Sequence, residues 1–289
     1  MIDIRVRNQI DPLELEPKKG KLVTRADFNV LLTGATRVAK PNGKPLCVYL
    51  PSAVRGVMSA SYPTLTNIRL QTDNRGLASG TKRINAGGTR TRAMPIHSGM
   101  LGAMEAQPRR PYCRLNAYNR KNLEKWQSLF PLFEEMSGWF KSWVPDRYAE
   151  QNHVVMDTHP DWVIPNTVFT TITINNSYST GVHTDKGDLD EGFSCLAVAR
   201  RGTYRGGYLT FPEYRLAVDM QDGDLMLMDA HDWHGNTQMI CRCGEPLNRR
   251  CELCHAERIS VVAYYRTEMK TCGSSEQEQQ KYERLLAVD

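Results

Sequence analysis

No stretch of this 289-residue chain approaches the roughly 18 consecutive apolar residues that a membrane-spanning helix requires. Its first residues, Met1-Ile-Asp-Ile-Arg5, lack the apolar core of a secretory signal. These absences predict a soluble protein of the cytoplasm or nucleus, a bacterial or phage-infected cytoplasm being favoured, and no membrane partner. Internal repeats and long low-complexity tracts are also missing, which excludes a solenoid or a collagen-like chain. Only 24% of residues are charged against 40% hydrophobic, a balance that argues against extensive disorder. The eight cysteines come without an export signal, so free thiols or metal ligation are expected rather than disulfides. Excess charge is small too, at +5, but it is unevenly spread. Residues 55–120 hold eleven Lys and Arg against Asp73 and Glu105, a net of +9 that leaves −4 for the remainder. A basic segment on an acidic body is the footprint expected where phosphates are held on one side of a domain.

Among what is present, His183-Thr-Asp185 followed 49 residues later by His234 carries the most chemistry. Two imidazoles and one carboxylate hold non-haem Fe(II) on one face and leave the opposite positions open. In an extended segment the side chains at i and i+2 point the same way, so His183 and Asp185 can be presented from one strand end. The third ligand is expected from the polar exit of the segment 223–236, where His231 and His234 compete. His234 is preferred because Gly235-Asn236 behind it can adopt positive φ and turn the chain around a ligand. Arg258, at the start of an apolar strand with Ser260 on the same face, makes a fork for a buried carboxylate. The distal carboxylate of 2-oxoglutarate fits that fork while its keto-acid end chelates iron, with O2 as co-substrate.

Between His234 and Arg258 lie Cys241, Cys243, Cys251 and Cys254. Paired thiolates on short knuckles suit a structural Zn(II) that closes a loop too small to have its own core, with His255 as a possible substitute ligand. Arg242, Arg249 and Arg250 of this insert stand where they can touch DNA. Arg83, Arg90 and Arg92 suit backbone phosphates in a Gly/Ser/Thr-rich segment, 55–92, that reads as loop.

Apolar runs at 29–33 and 46–50, broken by Pro-Asn-Gly at 41–43, read as flanking strands. Helical spacing places Leu123, Trp126, Leu129 and Phe130 on one helix with Asn119 as N-cap, and Leu132 to Trp143 on a second that ends before Pro145. Their aromatics are assigned to core packing. Short strands follow at 167–174, 194–200, 206–211, 215–219, 223–229 and 258–266. The pattern predicts an α+β protein with a double-stranded β-helix (jelly-roll, cupin-like) core, flanking helices and a small zinc-binding insert. Three regions are expected: strands and a basic DNA-contacting loop over 1–94, a core over 95–268 that carries the iron-ligand candidates with the cysteine insert at 241–254, and a peripheral, weakly helical tail over 269–289.

The runs from Phe169 to Asp188, Gly206-Gly-Tyr-Leu-Thr-Phe-Pro-Glu-Tyr214, Asp222-Gly-Asp224, His234-Gly-Asn236, Ser98-Gly-Met-Leu-Gly102 and Cys113-Arg-Leu-Asn116 together resemble the nucleic-acid-modifying branch of the 2-oxoglutarate/Fe(II) dioxygenases. That branch holds the thymine hydroxylases that initiate base J and the ten-eleven-translocation 5-methylcytosine dioxygenases, and the similarity covers roughly residues 95–268. It implies hydroxylation of a pyrimidine C5-methyl group in DNA by a monomer, on a base flipped out of the duplex or already single-stranded. Asn176, Tyr178 and Asp188, which flank the triad, are the candidates for reading the base. The alternatives are a hydroxylase of the same chemistry acting on protein or a small molecule, and a DNA-binding module without activity.

Overall fold

Strict alternation along two central strands decides the architecture. In the segment Ser194–Arg201, Cys195, Ala197 and Ala199 pack on one side and Leu196 and Val198 on the other. Leu225 and Leu227 likewise oppose Met226 and Met228 in the neighbouring strand. A strand apolar on both faces must be covered on both. One face takes helices; the other takes a second sheet.

The computed structural model describes residues 1–68, 97–247 and 249–287 and, between the first two, the backbone of two short strands. In chain order the elements begin with β1 (Ile2–Arg5), α1 (Pro12–Leu15), β2 (Val30–Leu32), β3 (Thr36–Ala39), β4 (Pro45–Leu50) and α2 (Arg55–Thr66). The paired β5 (Arg83–Ile84) and β6 (Arg90–Thr91) precede β7 (Ser98–Met104) and β8 (Arg114–Leu115). Then come α3 (Ala117–Lys121), α4 (Leu123–Gln127), α5 (Phe130–Trp143), α6 (Pro145–Met156), β9 (Thr171–Asn176) and β10 (Ser194–Arg201). The chain continues through β11 (Tyr204–Arg205), β12 (Leu209–Phe211), β13 (Leu216–Val218), β14 (Leu225–Met228), β15 (Gly235–Asn236), β16 (Ile240–Cys241), β17 (Glu257–Tyr264) and α7 (Ser275–Leu286).

Nine strands form the major sheet in the order β1-β3-β4-β14-β10-β17-β9-β7-β8, and four form the minor sheet, β15-β12-β13-β2. Leu209, Phe211, Leu216 and Val218 of the minor sheet pack on Leu196, Val198, Met226 and Met228, which closes the double-stranded β-helix. The opposite face of the major sheet carries Trp126, Phe133, Met136 and Phe140 of the helical layer, so the aromatics at helical spacing are core. No helix among the described residues is long and apolar enough to cross a membrane.

Several expectations are corrected. Residues 55–66 are helix, not loop, because Met58 and Leu65 lie on one face and bury against the core; the polar composition masked that spacing. Asn116, not Asn119, caps the next helix, its side chain accepting from the Tyr118 amide at 2.8 Å. Asn119 is buried instead, and its Oδ1 accepts from Gly102 N. The single helix expected over 119–130 breaks at Asn122, and a further helix begins at Pro145, where the proline's missing N–H costs nothing in the first turn. Cys113 and Cys272 form a disulfide across 159 residues, against the expectation of free thiols. It fastens the segment entering the edge strand β8 to the chain just before α7, whose buried Glu278 accepts from Cys113 N and Gly273 N.

Candidate functional site

His183 and His234 are brought together by the backbone. The two residues exchange N–H···O bonds of 2.9 Å each in an isolated bridge between chain segments, which leaves their rings 4.3 Å apart. Asp185 N donates to Ala230 O, and the Asp185 carboxylate lies 3.4 Å from His183 Nε2 and 3.9 Å from His234 Nε2. One ligand atom from each residue falls within 4.8 Å of the others. Each ring's Nδ1 faces a carbonyl, Gly181 O at 2.8 Å for His183 and Asp232 O at 2.9 Å for His234. A proton held there leaves the Nε2 lone pairs for a metal. Burial, then His183, pushes His234 down to about 4, which favours the neutral ring that a metal would need.

His231 has another task. Its Nδ1 meets Asp229 Oδ1 at 3.1 Å, and that hydrogen bond raises it to about 9. Asp229 also binds Lys40 at 2.8 Å, and Lys40 reaches Asp232 at 2.5 Å, so a lysine from the turn after β3 fixes the loop that carries His234. The reason offered for choosing His234 does not hold: Gly235 and Asn236 form β15 with negative φ. Glycine is needed there for close approach, because a Cβ on Gly235 would sit 3.0 Å from Val182 N.

Side chains two apart on one face of β17 build the cavity wall. Arg258, Ser260, Val262 and Tyr264 all line the cavity that holds the triad, and Arg266 extends the series. Arg258 is 3% exposed, and its Nη2 has no hydrogen-bond partner among the described residues. Burial lowers its pKa, the mark of a desolvated cation. Ser260 is oriented by Asn175 Nδ2 at 3.4 Å, whose own Oδ1 accepts from Ser98 Oγ at 2.5 Å.

The model of the Tet_JBP family, the oxygenase domain of the 2OGFeDO superfamily, matches residues 100–267, more than half of the chain. The chain belongs to this family. Relatives include the thymine dioxygenase JBP1 of Leishmania braziliensis, 36% identical over 53% of this chain and 18% of that protein. That of Trypanosoma brucei brucei is 28% identical over 92% of this chain and 29% of its own length. The chain thus spans under a third of these relatives. A solved structure of NgTET1 in complex with 5mC DNA superposes with a TM-score of 0.56 over 95% of this chain and 100% of that one, at 13% identity, and shares the fold. Membership of the Tet_JBP family brings Fe(II), 2-oxoglutarate and O2 as the superfamily's cofactor set, and the ligand geometry above fits it.

Of the residues flanking the triad, Asp188 lines the cavity and accepts from Ser194 Oγ at 2.9 Å; burial, then Asp185, pushes its carboxyl up to about 7. Asn176 lies outside that lining and donates to the buried Glu257 at 2.7 Å, and Tyr178 is half-buried outside it as well. The sulfurs of Cys241, Cys243, Cys251 and Cys254 gather within 4.8 Å, and His255 is not among them. Arg249 is exposed and pairs with Glu252 at 3.1 Å. Arg83 and Arg90 fall on the paired β5 and β6, while Arg92 lies outside the described residues. Sequence reasoning missed Tyr264 and Arg266, which continuing the alternation from Arg258 and Ser260 would have found. It also missed Lys40 and the Arg266–Glu105 pair, which no local signal announces.

Proposed function

We propose that this domain is a 2-oxoglutarate- and Fe(II)-dependent dioxygenase that hydroxylates the C5-methyl group of a pyrimidine, 5-methylcytosine or thymine, in DNA. The observation that carries it is the buried Arg258 guanidinium, unpartnered at Nη2 among the described residues, in one cavity with His183, Asp185 and His234. An unpaired buried cation is costly, and a carboxylate brought against it removes that cost. 2-Oxoglutarate has one carboxylate for Arg258 and Ser260 and a keto acid for the metal. Bound together, iron, 2-oxoglutarate and O2 supply the oxidant that turns a methyl into a hydroxymethyl group with release of succinate and CO2.

The protein's own residues do the rest. His183, Asp185 and His234 would hold iron through the two Nε2 atoms and a carboxylate oxygen, with the histidines' Nδ1 atoms turned to Gly181 O and Asp232 O. Leu196, Leu209, Met228 and Val262 line the cavity and keep water from it. A methyl group in a stacked duplex cannot reach such a recess, so the base enters extruded or single-stranded, and the chain acts as a monomer. Asp188, which lines the cavity, reads the base, while Asn176 and Tyr178 stand outside that lining; Arg83, Arg90, Arg92 and Arg249 contact phosphates. The four-cysteine knuckle holds structural zinc. The names of the relatives and the basic segment support DNA as substrate over protein or a small molecule.

The test incubates DNA containing 5-methylcytosine or only thymine with enzyme, Fe(II), 2-oxoglutarate and ascorbate, and measures nucleosides by mass spectrometry. A hydroxymethyl nucleoside formed one-to-one with succinate is expected. Succinate without any modified nucleoside would move the substrate away from DNA.

A further inference from the structure

Cys241 closes β16, and Cys254 stands four residues before Arg258. Cys243 Sγ and Cys251 Sγ are 3.8 Å apart, which matches the edge of a tetrahedron with Zn–S bonds of about 2.3 Å. Among the described residues, backbone hydrogen bonds from Cys241 N to Glu245 O at 2.8 Å and from Leu247 N to Met239 O at 2.9 Å shape the first half of the loop. Its apolar contacts are a small cluster of Tyr204, Met239, Cys241, Leu247 and Ala256.

That cluster is also the joint through which the knuckle meets the root of β17. Cys251 N donates to Ala256 O at 2.8 Å, and His255 N to Cys251 O at 2.9 Å. Cys241 pairs with Tyr204 of β11. Tyr204 in turn faces Arg200, which is the register partner of Arg258 in β10, with the Arg200 guanidinium 4.2 Å from the tyrosine ring. Gly202, in a left-handed conformation, lets the β10–β11 turn press on Ala256: a Cβ there would sit 2.8 Å from Ala256 Cα. From Ala256 the chain passes through buried Glu257 directly to Arg258. Both Tyr204 Oη and Arg258 Nη2 are buried without a partner among the described residues.

We infer that a zinc ion held by Cys241, Cys243, Cys251 and Cys254 sets the position of Arg258, so that affinity for a dicarboxylate co-substrate depends on a metal that takes no part in the oxidation. The zinc site stands on the thiol geometry alone; the coupling rests on the oxygenase reading, which names the dicarboxylate. Partners that orient metal ligands without touching the metal change affinity or activity about 10- to 100-fold, and the lower end of that scale is taken for the groups that position Arg258.

The experiment uses the full chain. Metal analysis after gel filtration should find one zinc per chain that survives chelation able to strip iron. Cys251→Ser and Cys254→Ser should lose zinc and weaken 2-oxoglutarate binding about tenfold, measured anaerobically with Mn(II) at the triad, while Mn(II) affinity stays unchanged. Cys254→His, which offers zinc a ligand again, should restore both zinc and affinity. Should the serine variants fail to fold, a mercurial titrated into the folded wild type releases zinc without touching the buried Cys47 and Cys195, and affinity should fall in step with release. Wild type without zinc would overturn the site. Zinc lost with 2-oxoglutarate affinity within twofold of wild type would overturn the coupling alone. Wild type that holds zinc but binds no 2-oxoglutarate would overturn the oxygenase reading and the coupling with it.

Discussion

Replacing Arg258 with methionine should produce two effects of opposite sign. In the ligand-free protein the guanidinium is a desolvated cation, 3% exposed and unpartnered at Nη2 among the described residues. Methionine fills similar length without charge, so the free variant should melt no lower than wild type. With 2-oxoglutarate bound, the same change deletes one partner of a buried charge pair, which costs about 2–5 kcal/mol. The dissociation constant then rises roughly 30- to 5,000-fold. At ligand a hundred times the wild-type Kd, wild type gains about 2.7 kcal/mol on binding, and the variant about 0.9 kcal/mol or less. For a chain of this size these gains correspond to melting shifts of about 5 °C and under about 2 °C. Anaerobic thermal melts with Mn(II) replacing iron, with and without 2-oxoglutarate, read both effects, and calorimetry gives Kd directly. An affinity within twofold of wild type, or a free variant that melts many degrees lower, would refute the reasoning.

His183→Ala, Asp185→Ala and His234→Ala should each abolish turnover with circular dichroism unchanged, whereas His231→Ala should keep most activity; the reverse pattern for the two histidines would exchange their roles. His231 is raised to about 9 from its ordinary 6.5, chiefly by its hydrogen bond to Asp229, so the charged form is favoured in the folded state. That stability is complete below pH 6.5 and lost as pH rises through 9, so wild type should lose more stability than His231→Gln across this window; parallel denaturation curves would dismiss the ion pair. Reduction, or Cys272→Ser, opens a 159-residue loop and should cost up to about 5 kcal/mol on the chain-entropy model, seen in urea denaturation, and an unmoved midpoint would show that the Cys113 link contributes nothing. Arg90→Ala combined with Arg92→Ala should make the salt dependence of DNA binding shallower by about one to two units; an unchanged slope would place the phosphates elsewhere.

The elements nearest the chemistry were legible because their signals are local. Short apolar runs bounded by turn residues in 194–200 and 223–229 forecast β10 and β14, and the spacing of Leu123 to Trp143 forecast a buried helical layer. His-x-Asp and the Arg-x-Ser face of β17 follow from period-2 geometry, and their residue types are those that suit Fe(II) and a carboxylate. Other features depend on residues far apart in the chain. Only the packed fold sets Lys40 under Asp229 and Asp232, ties Cys113 to Cys272, and turns Asn119 from an apparent cap into a buried partner of Gly102. The choice of His234 came out of the sequence for a reason the backbone does not support; its actual basis is the bridge to His183, a contact across 51 residues. Residue type and spacing therefore determined which chemistry this chain can carry. The meeting of distant strands decided where the ligands converge, because a contact between remote segments leaves no periodic trace in either one.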